Sequence, residues 1–415
     1  MALTAHSTAQ DLVYFENFDV DNSANWTVNV GSGTHAADFF FDYSTVGIPS
    51  APLSTNGTTR GLKLMANIDP ATQAGSLANY GMSVSPNGFS ITENFEMRFD
   101  LWFNYINGAT QQCLVGGAGF GTAGTAQQIA QPAAGIIDSV FIGATTGDGT
   151  SSTADYRVYA PLRYTGLQDA SGVYAAGSRN DTAAYYQTNF PGGNTPPAAQ
   201  TNLYPFQAGL VTPAGVQSFK WRDVMLRKVA NVITYRIDGV LIATVDSSTN
   251  GTLGGANILF NLYDINGNAS TNADTTNLLF ALFDNVRITN FSDIVTVSAT
   301  VPTASEQGPT PGTFTITRVD SSKEFTVYYT MTGTASNGVD YVTLPGTGTF
   351  PVGLVATNIT VTPIDDSIAE LTETVALNIS EGTNYIGGGL YHDHDCGQRN
   401  SHDGHQRGVG PEFCV

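Results

Sequence analysis

The sequence predicts an all-β chain folded as two sandwiches, and three observations predict it. Glycine fills 45 of 415 positions and charged residues make up only 12%, about half the ~25% of an ordinary globular chain. Ser, Thr and Asn stand where Lys and Glu would be, a shift that disfavours helices and favours strands joined by turns. Short alternating or apolar runs of strand length recur between clusters of Gly, Pro, Asn and Asp. No stretch sustains helical periodicity over three turns, and no run of ~18 apolar residues is present that would span a membrane. An apolar share of 41% suffices to fill cores, and the length suits two or three domains.

The first element, residues 1–11, is small-residue rich around Thr4, Ala5, Ser7 and Ala9. It resembles the end of a signal peptide that has lost its basic start and most of its apolar stretch. With few Lys and only three Cys, the reading is a bacterial exported protein, secreted or held at the cell surface.

Residues 12–291 form the second element. Strands are expected at Leu62–Asn67, Phe95–Tyr105, Ser139–Gly143, Asp155–Tyr159, Trp221–Val229, Val232–Ile237, Val240–Val245, Asn257–Tyr263 and Leu278–Ile288. Asp238-Gly239 between two of these runs is a strong hairpin signal. Long loops rich in Gly, Ala, Pro, Asn and Tyr are expected from Ala118 to Gly135 and from Ala160 to Pro213. Three stretches carry a family likeness: Tyr14-Phe-Glu-Asn-Phe-Asp19 with Trp26, Thr234 to Ala243, and Phe283-Asp-Asn-Val-Arg-Ile288. On these the region resembles the concanavalin A-like, laminin-G-like jelly rolls of bacterial secreted proteins. The likeness implies that Glu16, Asp19 and Asp284, on neighbouring first and last strands, hold a structural calcium; capped strand ends are the alternative.

Residues 294–390 are sharper. Val295 to Thr300, Gly312 to Arg318, Phe325 to Thr330, Thr357 to Pro363 and Thr374 to Ile379 read as strands. Ser305-Glu-Gln-Gly308, Gly338-Val-Asp-Tyr341 and Pro363 to Glu373 lie between them. In order and spacing this segment resembles a Calx-beta domain, an Ig-like sandwich with calcium sites at one end. The resemblance implies that Glu306, Asp340, Asp365, Asp366 and Glu370 are calcium (Ca2+) ligands, and Glu373 matches a further acid that is either ligand or structural. Calcium takes 6–8 oxygens at about 2.3–2.6 Å, which requires carboxylates converging from several loops.

Residues 391–415 change character. Reading His392 to Asn400 one base out of frame permits Thr-Ile-Thr-Ile-Ala-Asp-Asn-Glu, a closing strand of the Calx-beta kind. The segment is therefore read as a frameshifted or disordered tail, which leaves the second sandwich without its closing strand. A zinc or iron site at His392, His394, Asp395, His402 and His405 is the other reading.

The charge balance narrows the partners. With 35 acidic against 16 basic residues, net −19, the surface repels nucleic acid and anionic lipid. Cys113, Cys396 and Cys414 suggest neither a disulfide framework nor a zinc site. Hydrolase signals are thin: no nucleophile elbow, no paired metal histidines, and outside the tail only His6 and His35. Carboxylate pairs such as Glu93/Glu96 or Asp148/Asp155 remain candidates for glycoside, ester or lactone hydrolysis. The run Asp264 to Asp274 resembles the start of a calcium loop without its glycine and glutamate. Tyr185, Tyr186 and Tyr204 in the long loops are candidate sugar-stacking rings. The expected function is a calcium-binding module that contacts glycans or extracellular matrix, with a calcium-dependent hydrolase as the alternative.

Overall fold

The structure is a computed structural model that describes residues 11–68, 80–104, 114–130, 135–145, 154–264, 274–291, 293–318, 321, 324–365, 372–380, 385–387 and 412–414. The described residues fall into two compact units, Leu12–Thr289 and one that begins at Asn290.

The first unit is a two-sheet jelly roll. Its strands are β1 (Asp11–Glu16), β2 (Trp26–Val30), β3 (Ala36–Asp42), β4 (Arg60–Met65), β5 (Tyr80–Pro86), β6 (Asn94–Asn104) and β7 (Leu114–Thr122). Then follow β8 (Val140–Thr145), β9 (Arg157–Tyr159), β10 (Arg222–Val229), β11 (Val232–Ile237), β12 (Val240–Asp246), β13 (Asn257–Asp264) and β14 (Phe280–Phe291). One sheet runs β12-β11-β10-β6-β14-β4-β3, with β1 added on β14, and the other runs β2-β5-β13-β7-β8-β9.

Alternation on β6 shows why the sheets stack. Phe95, Met97, Phe99, Leu101 and Phe103 join the inner core, while Glu96, Arg98, Asp100 and Trp102 take the opposite face. Phe99, Phe260 and Phe283 meet at its centre, with ring centroids 5.1–5.8 Å apart. Each such ring removes apolar surface from water, and offset packing adds roughly 0.5–1.5 kcal/mol per pair.

Two expectations about glycine meet different outcomes. The hairpin between β11 and β12 turns on Asp238 and Gly239, both at positive φ (51° and 79°), as a two-residue turn of this kind requires. The loop expected from Ala118 onward is instead occupied to Thr122 by β7, which pairs with β8 and β13. A Cβ at Gly119 would sit 2.5 Å from the Cβ of Phe141, so only glycine lets these strands approach.

Both outer faces are covered. Over the second sheet, Ile129, Ala130 and Ile137 pack on Val115, Phe141 and Tyr263. Gln128 ties that cover down: its N–H donates to Ser83 Oγ at 3.0 Å and its Oε1 accepts from Ser139 Oγ at 2.7 Å. Over the first sheet lie Tyr43, Ile48, Leu210 and Trp221, packed with Trp102 and Leu282. The long loop between β9 and β10 holds two short helices, α1 (Ala184–Asn189) and α2 (Ala198–Leu203).

The second unit is a smaller sandwich. Its strands are β15 (Asp293–Val301), β16 (Gly312–Arg318), β17 (Phe325–Gly333), β18 (Thr347–Phe350), β19 (Ala356–Val361), β20 (Thr374–Ile379), β21 (Tyr385–Gly387) and β22 (Glu412–Cys414). The sheets run β19-β16-β15-β21 and β18-β17-β20-β22. Val295, Phe314, Ile316, Val327, Phe350, Val361 and Leu377 form the core between them. Arg318 is buried at its edge; its guanidinium donates to Leu354 O at 2.6 Å and Pro351 O at 2.7 Å and lies over the rings of Phe325 and Phe350. Within the segment expected to be a frameshifted or disordered tail, β22 pairs antiparallel with β20; His392, His394, Asp395, His402 and His405 lie outside the described residues. No helix among the described residues is long and apolar enough to cross a membrane.

Candidate functional site

Asp284 on β14 and Asp100 on β6 lie on the outer face of the larger sheet. Glu16 ends β1, and its two oxygens are committed to the turn that follows: Oε1 accepts the Phe18 N–H at 2.9 Å and Oε2 the Asn22 amide at 3.0 Å. Phe18, fully buried at φ 52°, redirects the chain toward Asp19. Asp19 accepts the Asn17 amide at 2.6 Å, while its Oδ1 is buried without a hydrogen-bond partner.

Asp284 is buried on β14. It accepts the Tyr43 hydroxyl at 2.9 Å and the N–H of Asn285 at 2.7 Å. Burial pushes its carboxyl up to about 8, with the charges of Asp100 and Asp19 adding to the rise. Asp100 lies on β6, fully buried, accepting the Asn285 amide at 2.8 Å and the Leu53 N–H at 3.0 Å. Burial raises it to about 6, and Asp223, its cross-strand partner, adds to that. Of the three residues expected to share a calcium, Asp19 and Asp284 thus act on one another electrostatically, whereas Glu16 is tied to its own turn. Asp100 is a member that sequence reasoning missed. Its alternation with Phe99 and Leu101 marks an outward position, but only the sheet order brings β6 beside β14.

In the second unit, 302–311 connects β15 to β16, 334–346 connects β17 to β18, and 362–365 leaves β19. Backbone bonds knit two of them: Val342 N–H to Thr362 O at 2.9 Å and Ile364 N–H to Asp340 O at 3.0 Å. Asp340 accepts the Ser336 N–H at 2.5 Å. The carboxyl of Glu373 stands above its ordinary range through desolvation, then through the charge and hydrogen bond of Asp340 and the charge of Glu306. Glu373 thus feels the charges of two other acids singled out from the sequence, Asp340 and Glu306. Asp365 is exposed beside Ile364, and Asp366 and Glu370 lie outside the described residues. Among the described residues, no three His, Cys, Asp or Glu side chains are grouped as ligands of one metal ion.

The tyrosines separate. Tyr186 is fully buried, stacked on Tyr156 with ring centroids 3.9 Å apart, and its hydroxyl donates to Ser178 O at 3.0 Å. Its ring is core, which corrects the expectation that it stands ready for a sugar. The α1 spacing explains this: one ring of the Tyr185-Tyr186 pair must face the sandwich. Tyr185 is half-buried, its hydroxyl donating to Leu241 O at 2.9 Å, and Tyr204 is half-buried against the core.

The candidate hydrolytic pairs are not brought together. Glu96 is buried between the guanidinium groups of Arg98 and Arg227, while Glu93 is exposed. Arg227 and Arg98 hold the Glu96 carboxyl below its ordinary range against the opposing effect of burial. Asp155 accepts the Asp181 N–H at 3.0 Å, and Asp148 lies outside the described residues. The long loop instead frames an open cavity of about 760 Å³ between residues 163–173 and 244–250.

Residues 290–387 match the Calx-beta domain family. No curated protein matches the chain. Among solved structures, the chain is similar to a Bacillus licheniformis β-glucanase at 11% identity and TM-score 0.32, over 67% of this chain and 97% of that one. It is similar to the carbohydrate-binding module CBM66 from Bacillus subtilis at 9% identity and TM-score 0.30, over 64% of this chain and 96% of that one. LamA from Z. galactanivorans, solved with laminaritriose and laminaritetraose, is 13% identical with TM-score 0.34, over 67% and 98%. Scores of this size say nothing about ligand or activity.

Proposed function

We propose that this chain is a calcium-binding, glycan-contacting module of the secreted or cell-surface kind. The observation that carries the reading is the match of residues 290–387 to the Calx-beta family, within which Glu373 feels the charges of Asp340 and Glu306. Calx-beta domains bind calcium. Carboxylates forced together without a cation repel one another, and a divalent ion removes that penalty and ties their loops. None of the ion pairs among the described residues involves these acids. Asp365, Asp366 and Glu370 would complete the set. In the first unit, Asp19 and Asp284, joined by Asp100, form the second proposed calcium position, with Glu16 holding the turn that carries Asp19.

The glycan half of the reading is supported by the polar cavity of the long loop, with Tyr185 and Tyr204 as further contacts. Binding is favoured over turnover because the ion pairs of Glu96 leave it no free acid partner. The domain limits 12–291 and 294–390 belong to the same proposal.

The test is calorimetry of the full chain in EDTA and in millimolar calcium, for wild type, Asp284→Ala, Asp340→Ala and Asp365→Ala/Asp366→Ala. Calcium at a hundredfold excess over Kd adds about 2.7 kcal/mol to the folded state, so the melting transition rises in wild type and less in the variants. No shift in wild type defeats the calcium reading. A panel of glycans, esters and lactones, with and without EDTA, separates retention from turnover; turnover restored by calcium would favour the hydrolase.

A further inference from the structure

The cavity beside the long loop has fixed walls. Leu162 N–H donates to Asn250 O at 3.0 Å, Leu167 N–H to Val158 O at 2.8 Å and Thr244 N–H to Val173 O at 2.9 Å. Three chain segments are thus bonded to one another around a space of about 760 Å³. A preformed wall spares a ligand the entropy of ordering it. Leu167 and Val173 supply an apolar strip, and the remaining side chains of the lining are polar.

Two charged residues belong to that lining, Arg163 and Asp246. They do not pair: Arg163 is exposed and makes no ion pair with any described residue. Asp246 is held in place by Ser248, whose N–H and hydroxyl donate to Oδ1 at 2.9 and 2.6 Å. Its carboxylate is thereby oriented, with Oδ2 open to a donor. Asn250 is fixed too, its amide donating to Asp246 O at 2.9 Å.

This combination selects a chemistry. A bare anion would meet the repulsion of Asp246, and a neutral polyol would leave Arg163 without a partner. A polyol that also carries a carboxylate satisfies both, since a guanidinium takes a carboxylate through two parallel bonds and a fixed carboxylate accepts hydroxyl donors. The chain's net charge of −19 opposes an acidic polymer only weakly at this distance, because the Debye length is about 8 Å at physiological salt. The charges inside the cavity decide.

We infer that this cavity binds a uronic acid unit of an acidic polysaccharide, Arg163 taking its carboxylate and Asp246 its hydroxyls. The inference rests on the glycan-contacting reading and names the glycan class. The experiment is titration calorimetry of the full chain in EDTA, which keeps calcium from bridging uronate to the protein's acids. The probes are oligogalacturonate, its methyl ester, oligoalginate and neutral β-glucan oligosaccharides. Wild type should bind at least one uronate about 10-fold more tightly than the methyl ester and the neutral sugars, with affinity falling as salt rises. Arg163→Gln should abolish that preference and Asp246→Asn should weaken uronate binding, both with unchanged melting temperature. Equal binding of acid, ester and neutral sugar, or uronate binding indifferent to Arg163→Gln, overturns the inference and leaves the glycan reading standing. Binding of none of the probes overturns both.

Discussion

The side-chain amide of Asn285 donates to Asp100 at 2.8 Å across the boundary between β14 and β6. The same residue's N–H holds Asp284 at 2.7 Å. One asparagine, itself at φ 52°, therefore spaces two buried carboxyls that would otherwise repel.

The first prediction is a pH dependence. Asp284 and Asp100 rise to about 8 and about 6 in the folded chain, whereas an unfolded aspartate titrates near ~3.9. The folded state holds more protons, so this contribution is complete below about pH 4 and is lost as pH rises toward 8. Melting curves without calcium from pH 4.5 to 8.5 should show a decline that Asp284→Asn flattens. A steeper decline in the variant would contradict the assignment.

A second prediction concerns the tyrosine pair. Tyr186→Ala empties a fully buried position against Tyr156 and should destabilise the first unit by about 3–5 kcal/mol, in line with large-to-small changes in cores. Tyr185→Ala removes a half-buried ring and should cost less than half of that. Denaturant midpoints give the comparison, and equal losses would argue that both rings are core.

Gly119→Ala tests the third. Its Cβ would meet the Phe141 Cβ at 2.5 Å and the Val140 carbonyl at 2.6 Å, and backbone cannot give way cheaply. A loss of about 1–3 kcal/mol is expected from overpacking, read as a lower melting temperature. An unchanged melting temperature would mean that β7 and β8 part easily.

Arg318→Ala is the fourth. It strips the donors from Leu354 O and Pro351 O and uncovers the Phe325 and Phe350 rings. Roughly 2–4 kcal/mol should be lost from orphaned acceptors and lost packing. If the units fold independently, calorimetry will move one transition only, and limited proteolysis will cut near Phe291–Ile294.

The strands that alternated cleanly were legible from residues alone. Val232–Ile237 is β11 to the residue, and Asn257–Tyr263 is β13 short by its last member. What escaped was governed by neighbours. Leu114 to Thr122 carries four glycines and so reads as loop, yet three of them, Gly116, Gly117 and Gly119, are what close packing against β8 and β13 demands. Tyr80–Pro86 hides because its alternate positions, Ser83 and Ser85, are small and buried rather than exposed, Ser83 against Gln128. For the sites, the family likenesses drew attention to Asp19, Asp284 and Asp340, but not to Asp100 or Arg163. Asp100 needs the sheet order, and Arg163 matters only because 244–250 folds up against its loop.

The pairing of β15 with β21 has a mechanical side. These strands run parallel, Asp293 opposite Tyr385 through Val295 opposite Gly387. Tension drawn between the entry of β15 and the exit of β21 pulls them lengthwise past each other. Their bonds then share the load in shear instead of parting singly, as they do when a hairpin is peeled from its turn. A chain under flow or traction at a surface would find in this short clamp its point of resistance.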